Sequence, residues 1–493
     1  MKRIVVVGGG AGGLELVTRL GDRLGARARQ PRAEIVLVDR DPTHIWKPLL
    51  HEVAAGSMDP FTHQLEYAAQ ARWHGFEFQQ GELTGLDRTN RVIRIGPLTD
   101  EDGEALLPAR ELRYDTLVIA IGSTTHFFGV PGAAEHAIAL DTPEQAERFR
   151  RRMISQCIRA QYRRASGAAG DPLDAPSGGV REDPGLRQSG PDGPHERAPE
   201  GAREDYVARD TMARDGVAVL PAGGHPKVSV AIVGGGATGV ELSAELRNTA
   251  QVLAAYGLHD VDPAYDISIT LVEAGPRLLP ALPERLSAET SKLLTKLGVT
   301  VMTGARVESV EAGGLRLPEG ALLRADLIVW AAGIKAPPIL GQLDGLATNR
   351  LGQLLVRESL QTEADEAIFA LGDCASCPWF GTAKTVPPRA QAAHQQANFL
   401  FEALLRQMDG QPLQAFRYRD LGSLVSLGRF SAVGSLMGGL IGGSMFIEGL
   451  FARFMYTSLY RLHIAALHGY ARMALDTIAH WLRRSTMPRV KLH

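Results

Sequence analysis

One pattern occurs twice in this chain and restricts its fold more than any other feature. IVVVGGGAGGLELVTRL (Ile4 to Leu20) is a β-branched run, a glycine turn and a helical pattern, and VSVAIVGGGATGVELSAELRN (Val228 to Asn248) repeats it. Both clusters fit G-x-G-x-x-G, through Gly8, Gly10 and Gly13 and then through Gly234, Gly236 and Gly239. In that motif the first glycine makes a tight turn, the second lets backbone approach a pyrophosphate, and the third lets the helix pack closely. The helix N-terminus then faces the phosphates. A single match would be weak. Here each copy follows a strand, opens a helix, and precedes a second strand ending in an acid, EIVLVD at Asp39 and SITLVE at Glu273, the context that gives the fingerprint its meaning.

Asp39 and Glu273 stand where a carboxylate accepts hydrogen bonds from an adenosine ribose, after a longer interval than the roughly 20 residues usually seen, so loops are inserted. A carboxylate repels a 2′-phosphate, which favours NADH over NADPH at the second site, with Arg277 nearby to moderate the preference. Two dinucleotide folds imply two dinucleotides, and the simplest pair is FAD and NADH. Two further strand-like runs, DTLVIAIG and DLIVWAAG, end at Gly122 and Gly333, which join the cofactor-side candidates. A last run, AIFALGD, ends at Asp373, placed to accept from a ribityl hydroxyl. The alternation predicts an α/β fold with two Rossmann-like dinucleotide-binding domains, for FAD and NADH, plus a C-terminal membrane-associating region.

The expected organisation is residues 1–141 as the first part of the FAD domain, 142–344 as the NADH domain, 345–425 as the second part of the FAD domain, and 426–493 as a hairpin with amphipathic membrane-anchoring helices. Within the NADH domain, residues 159–226 are rich in Gly, Pro, Ala, Arg and Asp without periodicity, and are expected to be a disordered insertion. The 493 residues suffice for several cores, and a formal charge of −2 gives no pull toward nucleic acid. Three cysteines, Cys157, Cys374 and Cys377, argue against a disulfide-built secreted protein and are too few for a four-cysteine metal or iron–sulfur site, so no metal is expected. Cys374 and Cys377 form a C-x-x-C, read as loop cysteines with a redox role as the lesser alternative. MKRIVVVGGG runs straight into a strand without a secretory h-region, so the catalytic body is expected in the cytosol.

Phe430 to Ile447 is uncharged for 18 residues, but its glycines and serines suit a hairpin better than a membrane span. From Leu450 onward Arg461, Arg472 and Arg483 recur at intervals of eleven, close to three helical turns. Leu459, Tyr470 and Trp481 keep the same interval about 160° around the helix. Seven Arg/Lys and one acid between Leu450 and His493 suit an interfacial helix on an anionic bilayer. The same surface suits docking on the body or a homodimer through the C-terminal region.

PPRAQAAHQQA (Pro387 to Ala397) reads as a helix start at Pro387–Pro388, with its positive end available to a flavin ring. Gln391, His394 and Gln395 share a face that is polar and mostly uncharged. Glu241, two residues after Gly239, reads from position alone as an acid in the first turn of the second fingerprint helix.

Taken together, the double fingerprint, LGDCA (Leu371 to Ala375) and PPRAQAAHQQA resemble the two-dinucleotide-domain flavoprotein superfamily, and more narrowly the type II NADH dehydrogenases, the non-proton-pumping NADH:quinone oxidoreductases. HIWKPLLHEVAAG (His44 to Gly56) is similar to that family's flavin-side segment, and SLGRFSAVGSLMGG and SLYRLHIAALHGYARMALD to the C-terminal region of its proteobacterial members. The resemblance implies tightly bound FAD, NADH as co-substrate and a membrane quinone as acceptor. It implies a peripheral protein on the cytoplasmic face of the inner membrane, with Gln391 and Gln395 in the quinone-site motif and Glu241 near nicotinamide and flavin. Trp46 to His51 stand where a disulfide reductase of the superfamily carries its cysteine pair, so no dithiol relay is expected. The alternatives are a sulfide:quinone oxidoreductase using cysteines as a sulfur relay, and a flavin- and NADH-binding interaction or sensor protein.

Overall fold

A computed structural model describes residues 1–100, 102–165, 228–255, 262, 266–427, 432–438, 443–448 and scattered positions between 458 and 479. The chain opens with β1 (Lys2–Val7), α1 (Ala11–Leu24), β2 (Ala33–Asp39), the short α2 (Leu50–Ala55), β3 (Glu77–Gln80) and β4 (Thr116–Ile119). It crosses on β5 (Thr124–Thr125) to β6 (Ile138–Ala139), α3 (Pro143–Ala165), β7 (Val228–Val233), α4 (Ala237–Ala255), β8 (Ile267–Glu273), β9 (Val299–Thr303) and β10 (Leu327–Trp330). It returns on β11 (Ile334–Lys335) to β12 (Ile368–Ala370) and α5 (Ala390–Met408), and ends in β13 (Gly422–Ser426), β14 (Ala432–Gly438) and β15 (Gly443–Glu448).

Two parallel sheets result, ordered β12-β4-β1-β2-β3 and β6-β10-β7-β8-β9. The fingerprint strand is central in each. β1 and β7 are near-continuous runs of Val and Ile because both faces of such a strand are covered. The crossings β5 and β11 pair antiparallel, Thr124 with Lys335 and Thr125 with Ile334, so the chain leaves and re-enters the first unit along one two-stranded ribbon.

One core surrounds the first sheet, from Ile4 and Val5 to Phe369 and Leu400. A second lies on one face of the second sheet and takes in α2, through Leu50 and Val53, although α2 precedes that unit in sequence. The segment after α5 joins both. Phe416 and Tyr418 are buried in the first core, and Val425 and Leu427 in the second, where each fully buried aliphatic side chain contributes about 1.5–3 kcal/mol.

The duplication and the glycine hairpin match the sequence reading: β14 and β15 pair antiparallel, with Gly438 opposite Gly443. Among the described residues no helix is long and apolar enough to cross a membrane. One boundary needs correction. Arg159 to Ala165, assigned to the insertion, continue α3; RAQYRRA contains neither Gly nor Pro and is rich in helix formers, and Ala160 is buried in the second core. Residues 166–227, and the stripes of Arg472, Arg483, Leu459, Tyr470 and Trp481, lie outside the described residues.

Candidate functional site

At each fingerprint the backbone excludes any side chain. Gly8 turns at φ +103°, and a Cβ on Gly13 would sit 1.8 Å from the Gly8 carbonyl oxygen. Gly234 turns at φ +115°, and a Cβ on Gly239 would sit 2.0 Å from the Gly234 carbonyl oxygen. The middle position differs: a Cβ on Gly10 or Gly236 would meet no protein atom within 4 Å. Each turn is therefore closed by its outer glycines and open at the middle one, ahead of a helix with no acid in its first turn. That cradle fits the pyrophosphate of a dinucleotide.

Asp39 and Glu273 occupy equivalent places and do the same work. Asp39 accepts from the Gly9 amide at 2.5 Å and the Asp41 amide at 2.9 Å. Glu273 accepts from the Gly235 and Gly275 amides, both at 2.6 Å. Each acid thus fixes the glycine turn of its own unit, a role the sequence reading did not assign. Burial pushes the Asp39 carboxyl above its ordinary range, opposed by the Gly9 and Asp41 amides. Arg277 is corrected: its guanidinium donates to the carbonyls of Leu282 and Pro280, each at 2.8 Å, and shapes that loop instead of reaching toward a 2′-phosphate.

Gly122 (φ +72°) and Gly333 (φ +68°) follow β4 and β10 and lead into the crossing ribbon. Asp373 lies in a single turn after β12, and its carboxylate accepts from the Ser123 hydroxyl at 2.8 Å. Burial raises the Asp373 pKa, while the Ser123 hydrogen bond and the Lys47 charge oppose the shift. Lys47 donates to the Ser123 carbonyl at 2.8 Å and to Asp141 at 2.9 Å, tying the segment before α2 to the ribbon. Ser123 and Asp141 carried no signal of their own in the sequence.

α5 begins at Ala390 with Arg389 as its N-cap, so Pro387–Pro388 precede the helix instead of opening it. Arg389 is extended (φ −150°), and each proline biases the residue before it, Val386 and Pro387, toward an extended approach to the helix. Gln396 anchors the other side by accepting from the Gly372 amide at 2.7 Å, beside Asp373. Both amides expected at a quinone are engaged with backbone. Gln391 donates to the Gly422 carbonyl at 2.9 Å and accepts from the Leu421 amide at 3.1 Å. Gln395 donates to the Arg419 carbonyl at 2.8 Å and accepts from its amide at 3.0 Å. His394 is bonded to the buried Glu15 at 2.6 Å, which raises its pKa.

Glu241 begins the second turn of α4, since Ala237 is the first helical residue. It is buried, accepts from the Ser426 amide at 3.0 Å, and stands 3.7 Å from Nδ1 of His51 on α2. Burial pulls the His51 ring down to about 4, so it is neutral at ordinary pH. Glu15 is the counterpart of Glu241 in the first copy, likewise two residues after the third glycine. Alignment of the two copies was the available signal for it.

The cysteines lack the traits of a relay. Cys374 and Cys377 are buried, and burial pushes both thiols up to about 12. Cys157 is raised to about 11 and belongs to the other core. A reactive cysteine needs a stabilised thiolate, the opposite condition.

Two sheets that share four strands in the same order about the fingerprint strand, each with a glycine turn fastened by a strand-end acid, define a reductase with two dinucleotide-binding halves. Residues 2–160 and 193–397 match the model of the pyridine nucleotide-disulphide oxidoreductase family. A type II NADH:quinone oxidoreductase of Haemophilus influenzae is 40% identical over 493 residues, covering 100% of both chains. A demethylphylloquinone reductase of Synechocystis is 27% identical over 439 residues, 88% of this chain and 87% of that one. Among solved structures, NDH2 from Plasmodium falciparum in complex with NADH superposes with a TM-score of 0.71 at 17% identity, over 97% of this chain and 98% of that one. The sulfide:quinone oxidoreductase of Aquifex aeolicus gives 0.64 at 16% identity, over 98% and 95%, a likeness of fold. The chain belongs to the pyridine nucleotide-disulphide oxidoreductase family and, within it, to the type II NADH:quinone oxidoreductases.

Proposed function

We infer that the protein oxidises NADH and reduces a membrane quinone through FAD. The observation that carries this reading is the repeated clasp of a strand-end carboxylate on its glycine turn, Asp39 on Gly9 and Glu273 on Gly235, because it prepares two dinucleotide sites in one chain. FAD, when bound, would supply the two-electron redox chemistry between NADH and the quinone.

The chain's own residues bind and orient. The Gly8–Gly13 turn and Asp39 would hold the adenosine side of tightly bound FAD. Asp373, steadied by Ser123, would take a ribityl hydroxyl, and Gly122 would let backbone approach the ring. The Gly234–Gly239 turn, Glu273 and Gly333 would hold NADH in the second unit. The Glu273 carboxylate disfavours a 2′-phosphate, and the diversion of Arg277 to the Pro280 and Leu282 carbonyls strengthens the preference for NADH. Glu241, beside neutral His51, is the acid placed to hold or move a proton between the nucleotide half and the quinone side. Gln391 and Gln395 stand on the quinone side, with their amides holding the backbone of residues 419–422.

Purified protein should carry flavin absorbance, bleach anaerobically on addition of NADH, and recover on addition of a soluble quinone. A colourless protein, or flavin that NADH reduces but quinone does not reoxidise, would contradict this reading. A sulfur relay is disfavoured by the three raised thiols.

The C-terminal region, basic from Leu450 onward, is assigned to the cytoplasmic face of the inner membrane, with a homodimer compatible with the same surface. Vesicles containing anionic lipid should carry the full-length protein upward in a flotation gradient, and neutral vesicles should carry much less. Equal flotation on both would point to an anchor other than the basic stripe.

A further inference from the structure

The segment from Arg419 to Ser426 is held at both ends by side chains from different halves of the molecule. At its start, Gln395 bonds both backbone groups of Arg419, and Gln391 bonds the amide of Leu421 and the carbonyl of Gly422. Glutamines four apart on α5 lie about 6 Å apart along its axis, and they meet the segment in reverse order, Gln395 at Arg419 and Gln391 at Leu421 and Gly422, where the chain turns with Gly422 at φ +97°. Asp420 points back, with Arg389 at 3.3 Å and the Gly422 amide at 2.9 Å. At its end, Glu241 of α4 takes the Ser426 amide, and Val425 and Leu427 are buried in the second core.

The line of contacts continues beyond α5. His394 and Asn398, on the same helix, bond the two carboxylate oxygens of Glu15 at 2.6 and 3.0 Å. Glu15 and Glu241 are the matching acids of the two duplicated helices. The helix of the first dinucleotide turn is thereby joined through α5 and the 419–426 segment to the helix of the second.

We propose that Arg419–Ser426 is a strap that sets the position of the two dinucleotide-binding halves relative to each other, and that Gln391 and Gln395 are positioning residues that clasp it. This rests on the reading of the protein as an NADH:quinone oxidoreductase and assigns the glutamines a task distinct from contact with the acceptor. Loss of the clasp frees the strap, loosens the Ser426 anchor on Glu241, and disturbs hydride delivery from the NADH half as well as quinone reduction.

The test is hydrogen exchange of the full-length, flavin-bound protein, read on peptides covering 417–427, with anaerobic flavin reduction by NADH measured on the same samples. Gln395→Glu keeps an acceptor for the Arg419 amide but sets a carboxylate against its carbonyl; Gln395→Met keeps the shape and removes both bonds. Both should raise exchange across 419–422 and at Ser426 by roughly tenfold, with slower NADH-driven flavin reduction and unchanged flavin content. Glu241→Gln, which retains an oxygen for the Ser426 amide, should keep Ser426 protected, and Glu241→Ala should expose it. Unchanged exchange with a raised KM for quinone alone would overturn the proposal and make the glutamines acceptor contacts. Faster exchange at 419–422 with Ser426 unmoved would overturn the strap's reach, and loss of flavin in both Gln395 variants would do the same for the positioning role. Failure of wild-type turnover with quinone would count against the enzymatic reading and leave the exchange result standing by itself.

Discussion

Replacing Gly239 by alanine should leave a protein that still carries flavin but is reduced by NADH at least ~100-fold more slowly. The new Cβ would lie 2.0 Å from the Gly234 carbonyl oxygen, far inside van der Waals contact. The turn cannot retreat. A Cβ on Gly234 would itself meet Ala332 and Ala331 backbone atoms at 2.7–2.8 Å, so that residue is packed against the β10 loop, and its φ of +115° is already fixed by the turn. Relief requires moving α4 away from β7, which shifts the helix N-terminus relative to the pyrophosphate and carries the nicotinamide with it. A displacement near 1 Å at a reacting centre costs on the order of 100-fold in rate.

Gly13→Ala is the matched control, because its Cβ would lie 1.8 Å from the Gly8 carbonyl oxygen in the first unit. It should lower flavin content itself, with a loss of stability of about 1–3 kcal/mol from overpacking. Flavin content by absorbance and the anaerobic reduction rate by rapid mixing separate the two outcomes. Should Gly239→Ala lose its flavin while Gly13→Ala keeps it, the assignment of FAD and NADH to the two units is reversed.

The parts of this molecule legible in its sequence are those whose partners are close along the chain. β1, the Gly8–Gly13 turn and α1 form one local unit, and the second copy restates it. Asp39 and Glu273 were recognisable as strand-end acids, yet their bonds to Gly9 and Gly235 were not, because a position near a ribose and a position on the turn are compatible with the same spacing. Gln391 and Gln395 show the limit most plainly. Helical periodicity places both on one face of α5 and says nothing of what covers that face. The covering segment, Arg419–Gly422, has no pattern of its own, and its bonds are made through backbone groups that every residue carries. Arg277 failed for a similar reason: three residues of loop geometry, Pro280 to Leu282, decide where its guanidinium goes. The helix reaching Ala165 was missed because the composition boundary falls at Arg159, before that residue, where RAQYRRA already shares the Arg and Ala of the segment beyond.

Acidification should destabilise the protein between pH about 6.5 and about 4, with His44 and His51 as the principal titrating groups. Both rings are buried, and burial lowers each pKa from 6.5 to about 4. The folded protein keeps them neutral where the unfolded chain has already bound the protons. Their stability contribution is therefore complete above the unfolded value and is lost as pH falls toward the folded one, up to about 3 kcal/mol for each ring. His51 should give less than His44, because an imidazolium there would gain from Glu241 at 3.7 Å. Other groups move the opposite way. His394, raised by Glu15, contributes below its unfolded pKa and loses that contribution as pH rises through its folded one. Asp39 and Asp373, raised by burial, favour the folded state more as they are protonated. The histidine component is isolated by comparing Tm against pH for the wild type and His44→Asn, a neutral side chain of similar size that does not titrate. The variant is expected to show a flatter fall in Tm across the window. An unchanged slope would mean that His44 is protonated in the folded state, which requires water or a carboxylate to reach a ring that here is 4% exposed.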